Sequence, residues 1–103
     1  MILHNAPKLG ADEIEAVARV IRRGWISEGS ETLRFEAKIK SLLHKKYAVA
    51  VNSGISALHI ALVTMGISPG DEIIIPAFTF EPILQAIMYT GAKPVLADID
   101  EDS

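Results

Sequence analysis

An α/β fold on a largely parallel sheet is the class this sequence predicts, and two observations carry that expectation. Three short, mostly apolar strand candidates lie at residues 47–52, 72–76 and 94–98, and a helix-length segment separates each from the next. Strands that read as near-continuous apolar runs, without alternation, are buried on both faces, so the expected arrangement is a three-layer sandwich with helices on either side of the sheet. Crossovers of helical length also make parallel pairing the natural geometry.

The elements can be justified in order. Residues 12–23 place Ile14, Val17, Ala18 and Ile21 on one face, with Asp12, Glu13 and Glu15 early and Arg22 and Arg23 late, before Gly24. That is an amphipathic helix whose charges complement its dipole and whose stop is a glycine. After the loop 24–29, Ser30 or Thr32 is expected to cap a second helix running to residue 43, with Phe35, Ile39, Leu42 and Leu43 as its apolar stripe. The first crossover helix is expected over residues 56–65, ending at Gly66. The turn Ser68-Pro69-Gly70-Asp71 then leads into the strand at 72–76. A second crossover helix starts near Thr79, with Pro82 in its first turn and Gly91 closing it before the strand at 94–98. No repeat, low-complexity tract or linker interrupts residues 1–103, so no internal domain boundary is expected. The abrupt run Asp98-Ile99-Asp100-Glu101-Asp102-Ser103 suggests that the chain continues in a parent protein.

Composition narrows the function. The chain has 103 residues, 50% of them hydrophobic, and a net charge of -3. Its basic residues form no stripe, which argues against nucleic acid or an anionic membrane as partner. With no cysteine, disulfide frameworks, thiolate metal sites and cysteine nucleophiles are excluded, and a reducing cytoplasm is compatible. The apolar runs are too short to span a bilayer and no targeting signal is legible at the N-terminus. His4 and His44 have no partner pattern. His59 lies among Leu58, Ile60, Ala61 and Leu62 and reads as a hydrogen-bonded, buried imidazole in preference to a catalyst. No metal-ligand spacing, dinucleotide fingerprint or P-loop lysine occurs.

The motif Ser53-Gly54-Ile55-Ser56-Ala57-Leu58 stands where an apolar strand candidate hands over to a helix. Such a junction aims unpaired backbone N–H groups and the positive end of the helix dipole at one spot, which suits a phosphate. A tight turn with an N-cap at Gly54 and Ser56 accounts for the same residues, and both readings stand at this level.

In four stretches the chain resembles the DegT/DnrJ/EryC1/StrS family of pyridoxal-phosphate-dependent sugar aminotransferases. These are Gly10-Ala11-Asp12-Glu13-Ile14-Glu15-Ala16-Val17, Gly24-Trp25-Ile26-Ser27-Glu28-Gly29, Ser53-Gly54-Ile55-Ser56-Ala57-Leu58-His59, and the segment from Pro69-Gly70-Asp71-Glu72 to Pro76-Ala77-Phe78-Thr79-Phe80. Their order and spacing cover essentially the whole chain. The resemblance implies the N-terminal portion of the large domain of a fold-type I enzyme. Backbone amides of Gly54, Ile55 and Ser56, with the Ser56 hydroxyl as a further donor, would hold the phosphate of pyridoxal 5'-phosphate. Phe80 would lie against its ring, and Trp25 and Ser27 would sit at the mouth of the active site. An ordinary core aromatic is the alternative for Phe80, and a staple between two helices for Trp25.

The implied activity is transfer of an amino group, from glutamate, to a nucleotide-linked keto sugar by a cytoplasmic homodimer. A dehydratase of the same family and a non-catalytic truncated fragment are the rival readings. Two departures stand out. Ile55 replaces the usual threonine and so removes a hydroxyl. Glu28 and Glu81-Pro82 stand where small residues are usual; their carboxylates could contact a substrate amine or hydroxyl, and exposed helix-start acids that favour the dipole are the preferred reading. Asp98 and Asp100 could face the ligand edge of the sheet, or simply end a strand. The chemistry also needs a Schiff-base lysine and a carboxylate at the pyridine nitrogen. None of Lys8, Lys38, Lys40, Lys45, Lys46 and Lys93 matches such a motif, so no catalytic residue is assigned and the 103-residue chain alone is expected to be inactive.

Overall fold

A computed structural model describes residues 6–100, with the element order α1 (Ala11–Arg23), α2 (Ser30–Leu42), α3 (Gly54–Thr64), β1 (Glu72–Pro76), α4 (Pro82–Met88) and β2 (Lys93–Ala97). Two compact units result, Met1–Ala48 and Val49–Ser103.

In the first unit, α1 begins where the Gly10 N–H is taken by the Glu13 carboxylate at 2.7 Å, a bond that satisfies a backbone group just before the first helical turn. The same bond holds the Glu13 carboxyl below the usual carboxylate range. Gly24, at φ 71, ends the helix in the left-handed conformation that glycine adopts freely. Helix α2 corrects the expected cap. Gly29 is its N-cap and Ser30 its first helical residue, with no side-chain cap from Ser30 or Thr32. Glycine is needed at this position because the Trp25 ring fills the space: a Cβ on Gly29 would come within 2.6 Å of Trp25 Nε1. Ile14, Val17 and Ile21 on α1, and Phe35 and Leu42 on α2, are all exposed within this chain.

The second unit is a β-α-β arrangement preceded by α3. Strands β1 and β2 pair in parallel, with Glu72 opposite Lys93, Ile74 opposite Val95 and Pro76 opposite Ala97. Its core is Ile75, Ile87 and Ala92, against which Leu62, Ile67, Ile73, Ile83 and Leu84 pack. The turn into β1 is tied by the Ser68 N–H donating to Asp71 Oδ2 at 2.8 Å, and the return into β2 by the Lys93 N–H donating to the Asp71 carbonyl at 2.9 Å. Gly91, at φ 80, closes tightly against Pro69, whose Cγ would lie 2.6 Å from an added Cβ.

Two expectations change here. Residues 47–52 form no strand, and the sheet among the described residues has two strands, β1 and β2. Apolar, β-branched sequence makes a strand only where a neighbouring edge offers a ladder, and Tyr47 and Val49 are exposed within this chain. The second crossover helix starts at Pro82 instead of near Thr79. Proline suits the first helical position because that N–H has no helical partner.

Candidate cofactor cleft

Helix α3 starts two residues earlier than its sequence pattern suggested, and this sets the local chemistry. Ser53, extended at φ -159 and ψ 159, is the N-cap, and its Oγ accepts the Ser56 N–H at 3.1 Å. Gly54 is the first helical residue, so neither Gly54 nor Ser56 serves as the cap. The amides of Gly54 and Ile55 belong to the first turn, where no helical carbonyl reaches them, at the positive end of the dipole. The Ser56 hydroxyl does not face outward as a spare donor, because it donates to Asn52 Oδ1 at 2.7 Å. A further 2.9 Å contact joins the Ser53 and Ser56 hydroxyls.

In front of this helix start lies an open, largely apolar cleft of about 500 Å³, lined by Ser53, Gly54, Ile55 and Leu58 from the start of α3 and by Phe80, Pro82 and Ile83 from the segment after β1. Phe80 is 75% exposed, so the core-aromatic alternative does not hold within this chain. The cleft therefore brings together Gly54, Ile55 and Phe80 of the sequence-derived set, while Ser56 sits behind them. No lysine lines it. Lys93 is engaged at 2.8 Å with Glu72 across the strands, which raises its pKa.

Gly54 supplies the test of fit for a phosphate-bearing ligand. Its φ is not in the left-handed region, and a Cβ there would meet nothing within 4 Å. Neither backbone conformation nor packing inside the chain demands glycine. A bare backbone in open space beside exposed amides is what close approach of an outside anion requires. An apolar slot with an aromatic wall also suits a planar heteroaromatic ring. The residues present fit pyridoxal phosphate.

Trp25 and Ser27 lie in the first unit, where with Val20, Arg23, Gly29, Ser30, Glu31 and Thr32 they line a small hollow of about 50 Å³. The Trp25 indole N–H donates to the Glu28 carbonyl at 2.8 Å, so the ring folds the loop 24–29 onto itself. Arg23 and Arg34 both pair with Glu31, at 3.2 and 3.0 Å. His59 is half-buried, and its ring meets Tyr89 edge-on at 5.7 Å in place of the buried hydrogen bond expected for it. Asp98 Oδ1 accepts the Ile99 N–H in a local turn. Sequence reasoning missed Ser53 as the cap and Asn52 as the acceptor for Ser56. The signal was the Ser-x-x-Ser spacing, a hydroxyl three residues before the amide it caps. No helix among the described residues is long and apolar enough to cross a membrane.

Comparison with known proteins bears on this geometry. The chain is 42% identical over 100 residues to the spore coat polysaccharide biosynthesis protein SpsC of Bacillus subtilis, covering 97% of this chain and 26% of that protein. A candidate sugar aminotransferase from Streptococcus pneumoniae, solved in PLP, PMP and apo forms, superposes with a TM-score of 0.87 at 33% identity, over 99% of this chain and 26% of that one. The aminotransferase of Psychrobacter cryohalolentis matches with a TM-score of 0.84 at 34% identity, over 92% of this chain and 25% of that one. The fold is thus that of the fold-type I aminotransferases, whose cofactor is pyridoxal phosphate, and the chain spans about a quarter of the length of these relatives. The sequence profile of one family matches residues 7–103 without a break, and the chain belongs to that family, the DegT/DnrJ/EryC1/StrS aminotransferases.

Proposed function

We propose that this chain is the N-terminal portion of the large domain of a pyridoxal-phosphate-dependent aminotransferase, whose parent protein moves an amino group from glutamate to a nucleotide-linked keto sugar as a cytoplasmic homodimer. The observation that carries the reading is the cleft in which the bare backbone of Gly54 and the amides at the start of α3 meet an exposed Phe80. The sugar is supported by relatives named for polysaccharide biosynthesis and sugar amino transfer. The nucleotide link, the glutamate donor and the dimer rest on the family resemblance. Continuity of the family match across both compact units supports treating residues 1–103 as parts of one domain.

When bound, pyridoxal phosphate supplies the electron sink that amino transfer needs. In this reading, the N–H groups of Gly54 and Ile55 bind its phosphate, and the α3 dipole adds to the attraction. Phe80 covers one ring face and, with Leu58 and Ile83, keeps water from it. Trp25 and Ser27 serve the substrate side, where the indole offers its ring, its N–H being held by Glu28.

The test is a coupled assay of the full-length parent with glutamate and a nucleotide-linked keto sugar. Formation of 2-oxoglutarate in step with amino sugar is expected. Loss of a sugar hydroxyl without 2-oxoglutarate would make the parent a dehydratase instead.

A further inference from the structure

Proton counting sets the direction of a hydrogen-bond chain at the start of α3. Each serine hydroxyl has one proton to give. Ser56 gives its proton to Asn52 Oδ1 at 2.7 Å, so the 2.9 Å contact between the two serine hydroxyls must be donated by Ser53. Ser53 Oγ in turn accepts the Ser56 N–H at 3.1 Å. Both hydroxyl protons and the amide of Ser56 are therefore spent inside the protein. What remains for an anion at this terminus is the amide pair of Gly54 and Ile55. A hydroxyl whose proton is committed elsewhere presents only lone pairs to its other neighbours, and lone pairs repel a phosphate.

We propose that Asn52 is a positioning residue for the cofactor phosphate. By holding the Ser56 proton it leaves Ser56 Oγ as the acceptor of the Ser53 proton, so the Ser53 hydroxyl, which lines the cleft, does not donate to the phosphate and recognition is left to the backbone of Gly54 and Ile55. The proposal rests on the cofactor reading above. Asn52 is not among the residues lining the cleft, so its influence on the ligand passes through Ser56. Ile55 acts in the same direction, since it has no hydroxyl to offer where the family's threonine would. The phosphate grip of this chain is thus set below what its helix start and two serines could deliver.

The experiment measures dissociation constants of pyridoxal 5'-phosphate and of pyridoxal for the full-length parent by absorbance titration. The two ligands differ only in the phosphate, so their affinity ratio reports the phosphate grip alone. Asn52→Ala frees the Ser56 proton and should shift the ratio toward the phosphorylated ligand by about tenfold, the scale of one added bond to a charged group. In a Ser56→Ala background the same substitution should shift nothing further. Asn52→Asp keeps an acceptor for Ser56 and should not raise the ratio. Asn52 is exposed, and an unchanged melting temperature verifies that each variant folds. A parent that prefers pyridoxal phosphate, yet whose ratio stays level or falls in Asn52→Ala, or rises equally in the Ser56→Ala background, overturns the role of Asn52 alone. Equal affinity of the parent for the two ligands would instead remove the cofactor reading, and this proposal with it.

Discussion

Gly54 is the residue whose identity the protein's own structure does not require, which makes it the sharpest probe of the cleft. With a φ outside the left-handed region and nothing within 4 Å of where a Cβ would stand, substitution by valine leaves internal packing intact. It also places a branched group where the phosphate approaches. Gly54→Val in the full-length parent is expected to weaken pyridoxal phosphate binding by tenfold or more, at the rate of about 1.4 kcal/mol per decade, with a melting temperature close to the parent's. Equal affinity, measured by cofactor absorbance, would move the phosphate elsewhere. At this scale the sequence was informative about residue type and less so about use. The Ser-Gly junction and Phe80 stood out in the sequence, each with a competing explanation, a capped turn for the first and a core aromatic for the second. The partition of the serines was not, because a side-chain network such as Asn52, Ser56 and Ser53 has no periodicity to read.

Among the elements, α3 and the β-α-β unit depend on a few local devices. Ser53→Ala removes the cap of α3 and should lower stability by about 1 kcal/mol, seen as a drop in denaturation midpoint. Gly91→Ala combines a left-handed backbone, a cost of roughly 1–2 kcal/mol, with a 2.6 Å approach to Pro69. It should therefore destabilise the second unit more than Ser53→Ala does, and the reverse order would be inconsistent with this turn. The start of α1 should respond to acid. Because the folded-state pKa of Glu13 is depressed by its bond to the Gly10 N–H, its contribution is present above the ordinary carboxylate range and lost as pH falls through the lowered value. Protection factors of the amides in the first turn of α1, taken relative to the intrinsic rate at each pH, should fall on acidification in the parent, and much less so in Glu13→Gln.

Helix positions and both pairing strands were legible from periodicity and glycine stops. The apolar run at 47–52 was not a strand, because strand formation is decided by a partner edge that local sequence does not contain. The caps shifted for a similar reason. Gly29 is the N-cap of α2, and the Trp25 ring, four residues away, crowds the place where a side chain there would stand.

For the whole molecule, the balance of covered and uncovered apolar surface is decisive. Among the described residues the buried core is limited to a few around Ile75 and Ile87, while Ile74 and Leu96 on the sheet and Ile14, Val17 and Ile21 on α1 stay exposed. Apolar area on this scale favours association. The 103-residue chain on its own is expected to scatter light as a concentration-dependent associate and to show no amino transfer, whereas the full-length parent should be a dimer with turnover. A monodisperse monomer of the short chain would contradict that expectation. The central claim, that α3 and Phe80 form the cofactor cradle, is tested most directly by the structure of the full-length parent crystallised with pyridoxal phosphate. Phosphate density within hydrogen-bond reach of the Gly54 and Ile55 amides, with the ring lying along Phe80, is the predicted result; a phosphate bound at any other helix start would contradict it.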